Sequence, residues 1–339
     1  MTPRSVRQVL LAAAFYTAAF GGTAFAKTKA KPQPQPQTPP LAQAQANKAD
    51  DAKVRAPLCD VLADDPEDQF ALTRGVDMHS VDAAKAVPAC QAAVAAAPEE
   101  GRLRYALGRA LQRSGDQAGA LDAYQRAAER GYPIAENLVG LMYQNARQVE
   151  TAAQWIERAA SHGYLPAQTI IATFYLQGVG VPKDSAKGVE WLRKAAGQNY
   201  PMAETSLSAL YLKGDAGVTK DEAQAYQWAK KAADQNYGPA QMLMGEIYLN
   251  GSGAAKKDEK AAFAWYLKAA DQGIPPAEAQ VGAMYHAGVG VARDDAKAVD
   301  WLQKAVDYPF PAAQPLLDEA RTSLSAAKPP EAKTSTTKR

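Results

Sequence analysis

The chain has 339 residues, 47% of them hydrophobic, and its 38 basic and 36 acidic side chains leave a formal charge of +2. That balance hides an asymmetry, because residues 57–319 carry 25 basic against 33 acidic side chains while both flanks are basic. An acidic body argues against nucleic acid, which needs Lys and Arg gathered on one face.

Residues 1–26 read as a cleavable signal peptide. Arg4 and Arg7 form a basic start, Val9 to Phe20 an apolar stretch, and Ala24-Phe25-Ala26 a small-residue cleavage site. The apolar run falls short of the roughly 20 residues a bilayer span requires, which favours cleavage after Ala26 over an uncleaved anchor. The mature protein is then expected to be periplasmic or secreted, with no integral membrane span. Residues 27–56, with Pro32-Gln33-Pro34-Gln35-Pro36-Gln37 and Pro39-Pro40, have the composition of a disordered spacer.

Residues 57–102 are expected to form an N-terminal capping region with one helix from Val81 to Ala97. Its Cys59 and Cys90 are the only cysteines. In an oxidising compartment they invite a disulfide, which would contribute about 3 kcal/mol. Two buried free thiols are the alternative, since sequence fixes no Cα separation.

From residue 103 to 319 a block recurs. Trp155, Trp191, Trp228, Trp265 and Trp301 stand 36, 37, 37 and 36 residues apart, and Tyr175, Tyr211, Tyr248 and Tyr285 keep the same spacing. A period in this range signals a solenoid in which each unit buries its apolar face against its neighbours. Within one unit, Ala167, Ile171, Ala172 and Tyr175 share a helical face. Gly178-Val179-Gly180 breaks that helix, and Asp184 is placed to cap a second one. Ala186, Val189, Trp191, Leu192, Ala195 and Ala196 form the second face. Asp221, Asp258 and Asp294 repeat the cap. Shorter units cover Leu103–Tyr132 and Ala135–Tyr164, a capping helix spans Ala312 to Leu324, and residues 320–339 read as a polar, basic tail. The fold class is all-α.

Chemical sites are scarce. Gly178-Val179-Gly180 and Gly288-Val289-Gly290 join helix to helix without the strand that a nucleotide loop needs. His79, His162 and His286 are scattered, with no metal-ligand spacing and no nucleophile motif. No catalytic residue, metal or cofactor is therefore expected. The tryptophans share one repeat position, which favours core packing over carbohydrate stacking.

The combination of helix tyrosine, Gly-x-Gly-Val turn, Asp cap, Trp and Lys-Ala-Ala-x-x-Gly resembles the Sel-one-like repeat (SLR) family over residues 135–310, and more weakly over 103–134. Ser208 and Ala172 depart from the family's helix glycine, and Ala216 sits inside the third turn. The Cys59-Asp60 and Ala89-Cys90 segment resembles a leader of some exported members. The resemblance implies a right-handed α/α solenoid of about six helix pairs, related to tetratricopeptide repeats, that acts as an adaptor or regulator in the cell envelope. It also implies that the first helix of each pair lines a groove for a protein or extended peptide. In this chain those positions are Tyr105, Arg109, Arg113, Asn137, Gln144, Asn145, Thr169, Thr173, Gln177, Thr205, Lys213, Met242, Glu246, Asn250 and His286. The rival implication is a β-lactam-binding or hydrolysing, or peptidoglycan-binding, envelope protein. The relatives that handle β-lactams carry cysteine pairs in nearly every repeat, and residues 135–310 have none.

Overall fold

The computed structural model describes residues 57–65, 75–253, 255–308 and 310–327. The expected signal peptide and spacer lie outside these residues, as does the tail from residue 328. The described residues contain helices and no strand, and no helix among them is long and apolar enough to cross a membrane. The helices fall into two compact units that divide at the end of the eighth helix.

The first unit opens with α1 (Pro57–Ala63), a 3-10 turn at Met78–Ser80 and α2 (Ala83–Ala96). Three helix pairs follow: α3 (Gly101–Ser114) with α4 (Gln117–Glu129), α5 (Pro133–Asn145) with α6 (Val149–Ser161), and α7 (Leu165–Gln177) with α8 (Ser185–Ala196). The second unit holds α9 (Pro201–Lys213) with α10 (Glu222–Asp234), α11 (Gly238–Asn250) with α12 (Glu259–Ala270), and α13 (Pro275–Ala287) with α14 (Asp295–Asp307). It closes with a 3-10 turn at Pro311–Ala313 and α15 (Gln314–Ala327).

Local chemistry sets the boundaries. The first helices from α5 to α13 start with proline at their first or second position, where the missing N–H costs no helical hydrogen bond. The second helices from α8 onward start at aspartates whose carboxylates accept from backbone N–H groups: Asp184 from Lys187, Asp221 from Gln224, Asp258 from Ala261 and Asp294 from Lys297, all at 2.9–3.0 Å. Each such cap is worth about 1 kcal/mol.

The turns are fixed at both ends. The N–H of each capping Asp donates to the carbonyl of the helix tyrosine, as in Asp184 to Tyr175 and Asp258 to Tyr248, both at 2.9 Å. The second glycine of the turn lies against the start of the preceding second helix. A Cβ on Gly180 would overlap the Val149 carbonyl, and one on Gly290 the Glu259 carbonyl. With φ near +65° and +70° as well, these two positions exclude any side chain. The Gly-x-Gly motif is thus a packing joint between repeats.

Small residues dominate the core. Ala152, Ala153, Ala159 and Ala160 are all at 0% exposure, as are Ala225, Ala229 and Ala232, so paired helices come close together. Val189, Leu192, Ala195 and Ala196 are buried as expected, whereas Ala186 is exposed at the first turn of α8.

The ends of the described chain hold one expected feature and two differences. Cys59 and Cys90 form the expected disulfide, with Cα atoms 4.7 Å apart, whereas the short helix α1 that carries Cys59 had no periodic signal in the sequence. At the other end, α15 continues to Ala327, three residues past the Leu324 expected for the capping helix and into the expected tail from residue 320. Leu316, Leu317 and Ala320 fall on one helical face and pack with Leu302, Ala305 and Phe310, so the chain stays helical past that boundary.

Candidate functional site

The first helices position the fifteen side chains expected to line a groove, and the structure sorts them by exposure. In the first unit Arg113, Asn145, Thr173 and Gln177 are exposed, Gln144 is half-buried, and Tyr105, Arg109, Asn137 and Thr169 are buried. In the second unit Lys213 and Asn250 are exposed, Thr205, Glu246 and His286 are half-buried, and Met242 is buried.

Several of the buried ones have work inside the protein, whereas the Asn137 amide oxygen is buried without a hydrogen-bond partner among the described residues. Arg109, only 2% exposed, donates to the Ala63 carbonyl at 2.9 Å and the Val76 carbonyl at 2.8 Å, and stands 3.9 Å from Asp65. The Tyr105 hydroxyl donates to Asp65 at 3.0 Å, and burial pushes its phenol well above the ordinary tyrosine range. Arg102, one turn earlier, pairs with Asp60 and with Asp64 at 3.4 Å. Three positions of α3 therefore hold residues 60–65 and Val76. This corrects the assignment of Tyr105 and Arg109 to an open groove: the N-terminal segment already covers them. Met242 is likewise part of a core cluster with Ala262, Tyr266 and Ala269.

The threonines bind their own helices. Thr173 donates to the Thr169 carbonyl at 3.1 Å and Thr205 to the Pro201 carbonyl at 2.7 Å, which leaves hydroxyl lone pairs to accept. The Nδ1 of His286 lies 2.5 Å from Asp295, whose other oxygen accepts from Arg293 at 2.9 Å. Burial alone would raise the Asp295 carboxyl, but these two partners outweigh it and hold the group below the usual range.

Glu246 differs from its neighbours. It has no hydrogen-bond donor among the described residues, and burial raises its carboxyl while Lys213 acts in the opposite direction. Beneath it Tyr266 is 3% exposed, its phenol pushed up by burial and then by Glu246.

Two recurrent features escaped the sequence reading. Each tryptophan carries a cation from the next helical turn: Arg158 sits 4.5 Å from the Trp155 ring centre, Lys268 4.0 Å from Trp265, and Lys304 3.9 Å from Trp301. The tryptophans are half-buried, so one part of the ring packs inward while the Lys or Arg covers another. The second feature is a buried Glu or Gln at the fourth position of the first helix: Glu136, Gln168, Glu204, Gln241 and Glu278. Glu136 meets Arg158 at 3.0 Å and His162 at 2.7 Å, while Glu204 meets Lys231 at 2.8 Å and Gln235 at 2.7 Å. Both had a signal, since the Trp-x-x-Lys/Arg and Glu/Gln positions recur with the repeat. No group of three His, Cys, Asp or Glu side chains able to hold a metal occurs among the described residues.

Comparison with known proteins matches the Sel1 repeat model five times, at residues 133–164, 165–200, 201–237, 238–274 and 275–307. A bacterial transcriptional activator domain model matches residues 68–131. No curated protein matches the chain. Among solved structures, a Sel1 repeat protein from Oxalobacter formigenes is 32% identical with a TM-score of 0.60, covering 73% of this chain and 71% of its own. The c5321 protein, described as a protective antigen of uropathogenic Escherichia coli with an SLR fold, is 30% identical with a TM-score of 0.59 over 70% of this chain. The chain spans about half the length of that second protein, 52%. The five tandem matches cover the helix pairs from α5 to α14, and this chain belongs to the Sel1-repeat family.

Proposed function

We propose that this protein is an exported, non-enzymatic scaffold of the cell envelope that holds a partner protein or extended peptide against the first helices of its repeats. Sel1-repeat solenoids commonly mediate protein–protein interaction. Such arrays act through surfaces spread over several repeats.

The observation that carries the reading is the set of uncharged polar side chains left exposed on rigid first helices: Asn145, Thr173 and Gln177 in the first unit and Asn250 in the second. Amides and hydroxyls of this kind match a partner's backbone N–H and C=O groups, and the helices beneath them need no ordering on binding. The test is capture of envelope proteins by the purified chain, with Thr173→Arg and Asn250→Arg variants as controls. Loss of one discrete captured protein at an unchanged melting temperature supports the reading, and identical capture by all three proteins contradicts it.

Export rests on Arg4, Arg7, the apolar run and Ala24-Phe25-Ala26. The mature chain should begin at Lys27, and N-terminal sequencing of protein from the cell that makes it decides this. A mature chain that retains Met1 contradicts export by this route.

A further inference from the structure

The residue that follows the helix glycine is charged at two repeats, Arg109 after Gly108 on α3 and Glu246 after Gly245 on α11. The surroundings correspond as well. Gly108 lies against the ring of Tyr124, and Gly245 against the ring of Tyr266, so each charge stands beside a tyrosine from its paired second helix. The other repeats place Leu141, Thr173, Ala209 and Ala283 at this position.

At the first of these sites the charge grips polypeptide. Arg109 donates to two carbonyls of the N-terminal segment, Ala63 and Val76, and faces Asp65. The position on the first helix therefore already serves, within this chain, as an anchor for a crossing segment. At the second site the sign is reversed and the anchor is unused. Glu246 is half-buried, accepts no hydrogen bond from the described residues, and has Lys213 near enough to act on its charge. A half-buried carboxylate without protein donors keeps only part of its hydration, and a cation placed on it gains a charge-assisted bond. Tyr266 stays a neutral phenol there and supplies no competing charge.

We propose that Glu246 is the charge anchor of the second unit's partner face, taking the ammonium or guanidinium of a Lys or Arg side chain on an extended peptide. This deepens the scaffold reading and rests on it. Lys213 and Asn250, both exposed, flank the site, and Lys213 competes with the incoming cation.

The test is a titration of the isotope-labelled full chain with two peptides of ten residues, built from Ala, Thr and Gln around one central residue. That residue is Arg in one peptide and citrulline, its uncharged isostere, in the other. Amide shifts around Asn250 report binding. The Arg peptide is expected to bind about tenfold more tightly than the citrulline peptide, an advantage that Glu246→Gln removes while leaving the citrulline peptide unaffected. Lys213→Met is expected to strengthen only the Arg peptide. Melting curves of both variants exclude misfolding as the cause. Equal binding of both peptides, or an Arg preference that survives Glu246→Gln, overturns the anchor and leaves the scaffold reading standing. No shift with either peptide overturns the anchor too, and the scaffold reading then depends on crosslinking from Thr173 and Asn250 alone.

Discussion

Ala172 on α7 and Gly188 on α8 face each other with the residue types of other repeats exchanged. In those repeats the glycine is on the first helix and the alanine on the second, as in Gly140 with Ala152 and Gly282 with Ala298, where a glycine Cβ would come within 3.2 and 3.1 Å of the facing alanine carbonyl. At the exchanged pair a Cβ on Gly188 would stand 2.9 Å from the Ala172 carbonyl and 2.8 Å from Leu176. At these three crossings one methyl group fits, and either helix can carry it. Ser208 solves the same crossing differently, by donating its hydroxyl to the Ala225 carbonyl at 2.7 Å.

Gly188→Ala alone should therefore overpack the crossing, at about 1–3 kcal/mol, offset by about 1 kcal/mol of helix propensity gained. Ala172→Gly combined with Gly188→Ala rebuilds the arrangement of the other repeats. Urea unfolding of the two single variants and the double variant should give a favourable coupling energy of about 1 kcal/mol or more. Simple additivity would contradict the one-methyl rule.

Arg109 is a structural residue of the first unit. Arg109→Ala removes the guanidinium that donates to the Ala63 and Val76 carbonyls and stands 3.9 Å from Asp65. The expected loss is about 2–4 kcal/mol, seen as a lower melting temperature, and Arg109→Glu should lose more. An unchanged melting temperature would mean that the N-terminal segment does not hold this position.

The repeat architecture was legible in the sequence because its signals are periodic: tryptophan, tyrosine, turn glycine and capping aspartate recur together. Helix α1 was not, because seven residues with acidic Asp60 among them show no amphipathic stripe. Its place is set by the Cys59–Cys90 bridge and by Arg102, all tertiary contacts. The site was legible only as a register. Which register positions stay exposed depends on what packs over them, and that separates buried Tyr105 and Arg109 from exposed Thr173 and Asn250. The exchange of Ala172 with Gly188 was half visible, since the missing helix glycine shows in the sequence but its compensation lies across the pair.

The disulfide should behave as a sealed staple. Cys59 is 1% and Cys90 0% exposed, so a reductant should reach the bond only through opening of the first unit. Alkylation after brief treatment with a thiol reductant should label neither cysteine under native conditions and both in urea. The double variant Cys59→Ser and Cys90→Ser should lose about 3 kcal/mol. Rapid native labelling would contradict the burial.

Glu278 tunes stability with pH. One of its carboxylate oxygens is buried without a hydrogen-bond partner, and burial, assisted by Asp307 and opposed by Lys304, raises its pKa. A carboxyl raised in the folded state binds its proton more tightly there than in the unfolded chain. Its contribution is then fully present below the unfolded value, near 4.3, and is lost as pH rises through the folded value. Glu278→Gln should accordingly raise the melting temperature at pH 7, with the gain shrinking as pH falls towards 4. A gain that does not depend on pH would contradict this account.

Site-specific photo-crosslinking in the cell that makes the protein tests the central claim most directly. Probes at Thr173 and Asn250 read the exposed first helices, and probes at the exposed Gln154 and Gln227 read the second helices. The account predicts one discrete crosslinked protein from Thr173 and Asn250 and none from Gln154 and Gln227. Crosslinks from the second helices alone, or from no position in a well-expressed protein, would contradict it.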